Sequence, residues 1–98
     1  MPDALGVDRD GQVVAIELER NVKSHKRRRE VLSAHVLTMA QKTRWQRVIY
    51  VCDARCDASR LQALYMSLEE LDTPGGRAPM TDAHRGRFSF VNLDDFKG

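Results

Sequence analysis

Long apolar runs are missing from this chain. No segment approaches the roughly 18 residues that a bilayer-spanning helix needs. The amino terminus carries Asp3, Asp8 and Asp10 in place of an apolar stretch, which argues against a secretory leader and makes a cytoplasmic location the expectation. Cysteine is scarce: Cys52 and Cys56 are the whole supply, spaced CxxxC with no second pair. His25, His35 and His84 are scattered, so the ligand spacing of a zinc site is absent. Cys52 ends an apolar run and reads as a small buried residue. An excess of one charge is missing too. Sixteen Lys and Arg against fourteen Asp and Glu leave a net charge of +2, which excludes a strongly basic nucleic-acid binder. There is no internal repeat and no low-complexity tract.

What is present suits one small domain of 98 residues, near the size at which a single core becomes dependable. A hydrophobic share of 42% and a charged share of 31% are ordinary for a globular chain. Cations are unevenly placed. Lys23, Lys26, Arg27, Arg28 and Arg29 fall within seven residues, and Lys42, Arg44 and Arg47 form a second group. Such clusters can neutralise phosphates, although a solvated helix face gives the same pattern.

Periodicity divides the chain into short elements. Leu5-Gly6-Val7 predicts a first strand, beginning at or near Asp3, and Asp8-Arg9-Asp10-Gly11 a turn in which Gly11 can take positive φ. Gln12 to Glu19 alternates with period two and predicts a second strand, with Val14, Ile16 and Leu18 facing a core. Ser24 is a suitable N-cap for a helix to about Gln41, with Leu32, Val36, Met39 and Ala40 on its core face. Arg47 to Cys52 predicts a central strand, followed by a turn at Asp53-Ala54-Arg55. A second helix is expected from Ala58 to Leu71, carrying a stripe of Leu61, Leu64, Tyr65, Leu68 and Leu71, and ending at Thr73-Pro74-Gly75-Gly76. Residues 77–86 read as a flexible loop, and Phe88 to Asn92 as a last strand. The order ββαβαβ implies an α/β domain with a mixed sheet of about four strands and helices packed on it.

The chemistry-bearing residues gather near the amino terminus. Glu17 and Glu19 lie two apart on the second strand and so project from one face, with Asp3 ahead of the first strand and Lys23 just beyond the second. Carboxylates that converge are what a hard divalent cation needs.

At Pro2-Asp3, Glu17-Leu18-Glu19 and Lys23-Ser24 the chain resembles the PD-(D/E)xK nuclease-like superfamily, the restriction-endonuclease fold. It looks most like the branch found in plasmid replication-relaxation and mobilisation proteins. Asp3 matches the Asp that opens one strand, and Glu17 the acidic residue of the triplet on the next. Glu19 stands where the triplet has Lys, and Lys23 is the nearest substitute. No helix precedes Asp3, so the chain resembles a truncated core or a fragment of a longer protein. The resemblance implies Asp3, Glu17 and Glu19 as ligands for Mg²⁺ or Mn²⁺, with Lys23 stabilising charge at phosphorus. It also implies DNA as partner, with Lys26, Arg27, Arg28 and Arg29 on its phosphates. Either an endonuclease or a catalytically inactive DNA-binding or protein-interaction module agrees with these residues. The small size leaves room for a homodimer or for other domains of a larger protein.

Overall fold

The computed structural model describes residues 2–41, 44–53 and 55–96. The elements are β1 (Ala4–Val7), β2 (Val13–Glu19), α1 (His25–Ala40), β3 (Arg47–Cys52), α2 (Ala58–Met66), β4 (Glu70–Thr73), β5 (Gly76–Pro79), α3 (Asp82–Arg85), β6 (Phe88–Asn92) and α4 (Leu93–Phe96). β1 and β2 form an antiparallel hairpin. In its turn the Asp8 carboxylate accepts from the amides of Asp10 and Gln12, both at 2.9 Å, and Gly11 takes φ +80°.

The main sheet has the order β1-β2-β3-β6, with β3 parallel to β2 and β6 parallel to β3. This is the expected four-stranded mixed sheet. α1 links β2 to β3, and α2 begins the link from β3 to β6. Each long helix starts on the cap that its sequence offers: Ser24 Oγ accepts from the Arg27 amide at 3.2 Å, and Asp57 from the Arg60 amide at 3.0 Å.

Between α2 and β6 the structure differs from the expectation. α2 ends at Met66, and residues 70–79 form an antiparallel two-stranded sheet, β4 with β5, whose turn is Thr73 to Gly76. Residues 77–86, expected as a flexible loop, hold β5 and α3. The reason is tertiary. The Arg85 guanidinium donates to the Met66 carbonyl at 3.0 Å and the Leu68 carbonyl at 2.8 Å, taking acceptors that a longer helix would have used itself. Leu68 and Leu71 are still buried, so the apolar stripe continues although the helix does not. The hairpin is tied to α1 through Ser33, whose hydroxyl donates to the Arg29 carbonyl and accepts from the Asp72 amide, both at 2.7 Å.

Both long helices cover the same face of the sheet. Ala15, Leu32, Tyr50, Leu61, Tyr65 and Phe88 belong to one buried cluster. Tyr50 stacks on Tyr65 and on Phe90, with ring centroids 5.0 and 5.3 Å apart. Two crossovers that share a hand and step the same way across a sheet place their helices on one side.

This placement reverses the expected orientation of β2. Val13, Ala15, Glu17 and Glu19 point beneath the helices, while Leu18 on the opposite face is 39% exposed. Val14 is buried and Ile16 half-buried on that opposite face. Hydropathy alternation locates a face and cannot say on which side the helices will lie. The α1 core stripe is also different: Arg28, Leu32, Ser33, His35 and Met39 are buried, and Ala40 is exposed.

Candidate functional site

Because the carboxylates of β2 lie under the helices, they enter a polar network inside the domain. Glu17 is its centre. One oxygen accepts from the Asp3 amide at 3.0 Å, and the other from His35 Nε2 at 3.1 Å. Asp3 answers across the hairpin, its Oδ2 accepting from the Leu18 amide at 2.8 Å. These reciprocal bonds bring Asp3 and Glu17 together at the open end of the β1–β2 pair. Burial pushes the Glu17 carboxyl upward, but the His35 hydrogen bond, the Asp3 amide and the His35 charge outweigh it and hold its pKa below the usual carboxylate range.

Glu19 takes a different place. Its side chain is only 5% exposed and pairs with Lys23 four residues later. Arg28, buried on the first turn of α1, donates to the Lys23 carbonyl and so fixes the segment that presents this lysine. Lys23 therefore neutralises Glu19 and is not turned towards Asp3 and Glu17. The hydroxyls of Tyr50 and Tyr65 lie near both glutamates. Burial raises the pKa of each, and the neighbouring carboxylate charges add to the effect.

His35 is the member that sequence reasoning missed. A carboxylate only accepts, so Nε2 is protonated and donates the hydrogen bond to Glu17. The ring lies edge-on to Trp45, Tyr50 and Phe88, with centroids 5.8, 6.2 and 6.3 Å away. A signal for it exists in the sequence. Arg28, Leu32, His35 and Met39 recur at helical spacing, but two of the four are polar and an apolar count passes over them.

Glu17 and His35 form part of the wall of a cavity of about 290 Å³, together with Arg27, Glu30, Arg44 and Trp45. Arg27 and Arg44 are exposed, so the cavity joins Glu17 to two guanidinium groups, of which Arg27 pairs with Glu30 at 3.7 Å. The basic run of α1 is divided by the helix. Lys26 and Arg27 face solvent, Arg28 points inward, and Arg29 pairs with Asp72 at 3.2 Å with its side chain 14% exposed. Lys42, of the second basic group, lies outside the described residues, as does Ala54 of the turn after β3.

Magnesium is held by one or two carboxylates completed by water and substrate oxygens. Asp3 and Glu17 are brought together by hydrogen bonds between backbone amides and carboxylates, whereas Glu19 is already taken by Lys23. Among the described residues no three His, Cys, Asp or Glu side chains stand together as a metal-holding group. No helix among these residues is long and apolar enough to cross a membrane.

Comparison of the chain with family models, with curated proteins and with solved structures finds no match.

Proposed function

We propose that this chain is a DNA-binding domain with a restriction-endonuclease-like core, serving the processing of plasmid or mobile-element DNA. The observation that carries the reading is the contact of Asp3 with Glu17, beside a cavity that also presents Arg27 and Arg44. Two guanidinium groups beside an acidic pair are suited to a phosphodiester whose charge they offset on either side. Asp3 and Glu17 are the residues that would hold Mg²⁺ or Mn²⁺. A metal bound there supplies an activated water and a polarised phosphodiester oxygen. Glu17 is oriented by His35, and Lys26, Arg27 and Arg44 hold flanking phosphates. The placement of the process in plasmid or mobile DNA rests on the resemblance at Asp3, Glu17 and Lys23-Ser24.

A second reading is a DNA-binding module without cleavage. It is favoured by the engagement of Lys23 with Glu19, which takes up the lysine that the resemblance assigns to charge at phosphorus. One experiment separates the two: nicking of supercoiled plasmid with Mg²⁺ or Mn²⁺, wild type beside Glu17→Ala, with gel retardation in parallel. Cleavage by wild type alone identifies a metal-dependent nuclease. Retardation without cleavage identifies the binding module. Absence of both refutes DNA as partner.

A further inference from the structure

The two thiols of the chain meet at the carboxyl end of the sheet, where Cys52 lies opposite Glu19 of β2. Cys52 is the last residue of β3, and Cys56 lies in the turn that leads into α2, where its amide donates to the Asp53 carbonyl at 2.8 Å. That turn carries the Cys56 side chain back over the strand end, leaving the two Sγ atoms 3.4 Å apart and in hydrogen-bonding contact. Both are free thiols and both are buried. They nevertheless line a cavity of about 550 Å³, whose wall also includes Arg55, Asp57, Arg60 and Asn92. A buried apolar contact would be served equally well by alanine or valine. Two sulfurs in contact beside a cavity that a small polar molecule can enter have a chemistry that those residues lack.

We propose that Cys52 and Cys56 are a reversible oxidation site, converted by a peroxide into an intramolecular disulfide. Cys56 Sγ attacks one peroxide oxygen. The O–O bond breaks, a sulfenic acid forms, and the departing hydroxide leaves as water with the thiol proton. Cys52 Sγ then attacks the Cys56 sulfur. The S–S bond forms, the S–O bond breaks, and the second hydroxide leaves as water with the Cys52 proton. Two thiols lose two electrons in all, and the peroxide is reduced to two waters. Cys52 is the resolving sulfur: burial and its hydrogen bond with Cys56 push its thiol up to about 12, which disfavours it as the first nucleophile. The closed loop is short, so the bond restricts the unfolded chain little, and its effect is confined to the junction of β3 and α2.

The test is whole-protein mass spectrometry of the wild-type chain after exposure to hydrogen peroxide, with and without dithiothreitol. The expected result is a loss of about 2 Da, the two thiol hydrogens, reversed by dithiothreitol and mapped by digestion to Cys52 joined to Cys56. Cys52→Ser should stop at the sulfenic acid, captured on Cys56 by dimedone. Oxygen added irreversibly to either sulfur of the wild type, a disulfide between two molecules, or two thiols still open to iodoacetamide after unfolding would each overturn the proposal.

Discussion

Glu17 of β2 accepts a hydrogen bond from His35 of α1 at 3.1 Å, joining a strand carboxylate to an imidazole 18 residues further along. The bond does two things. It gives a half-buried carboxylate a charge-assisted partner, and it turns the other Glu17 oxygen towards Asp3. The pair is therefore a structural tie and the orienting element of the candidate site.

Removal of the imidazole tests the tie. His35→Ala deletes a hydrogen bond to a charged group and the ring packing against Trp45 and Tyr50, and should destabilise the domain by about 3 kcal/mol. Urea denaturation should show a lower midpoint with an unchanged slope.

Acid should act through Glu17. Its folded pKa is lowered from a reference of 4.5, so its contribution to stability is fully present above that value and is lost as pH falls through the folded pKa. Thermal unfolding followed between neutral and strongly acid pH should show the wild-type Tm falling below about pH 4.5. In Glu17→Gln that part of the fall should be missing.

The Glu19–Lys23 pair should behave asymmetrically. Lys23→Ala leaves a buried carboxylate without its partner and should cost about 3 kcal/mol. Glu19→Met with Lys23→Met removes both charges and should recover most of that loss in chemical denaturation. Equal destabilisation by the single and double replacements would show that the pair contributes nothing through its charges.

DNA affinity should depend on the cations that face solvent. Replacing Lys26, Arg27 and Arg44 together with Ala should flatten the logarithmic salt dependence of binding by about 0.9 for each phosphate no longer neutralised. Arg29→Ala should leave that slope unchanged, because its side chain is largely buried against Asp72, whereas Arg27 stays exposed beside Glu30. Fluorescence anisotropy on a short labelled duplex, repeated over a range of salt, measures both.

Several elements are legible in the sequence because local rules suffice for them. The turn at Asp8 to Gly11, the helix beginning at Ser24, the strand Arg47 to Cys52 and the strand Phe88 to Asn92 all lie where caps, glycine and apolar runs place them. The β4–β5 hairpin is not legible. Leu61, Leu64, Leu68 and Leu71 keep helical spacing throughout, and it is Arg85, brought back from beyond the hairpin, that takes the carbonyls of Met66 and Leu68. The candidate site is partly legible. Asp3, Glu17, Glu19 and Lys23 stand out by type and spacing, while His35 and the inward turn of Arg28 do not.

The sequence by itself determined the four strands of the main sheet, the capped starts of the two long helices and the shared face of Glu17 and Glu19, since these follow from period, capping and turn chemistry within a few residues. Only the tertiary structure decided that this shared face lies beneath the helices, that Lys23 closes on Glu19, and that His35 reaches Glu17. Those outcomes depend on which side of the sheet α1 and α2 cover, a property of how the crossovers pass and not of any single segment. Once the glutamates are buried there, leaving them unpaired would be costly, and Lys23 of the β2–α1 connection and His35 of α1 turn inward to meet them.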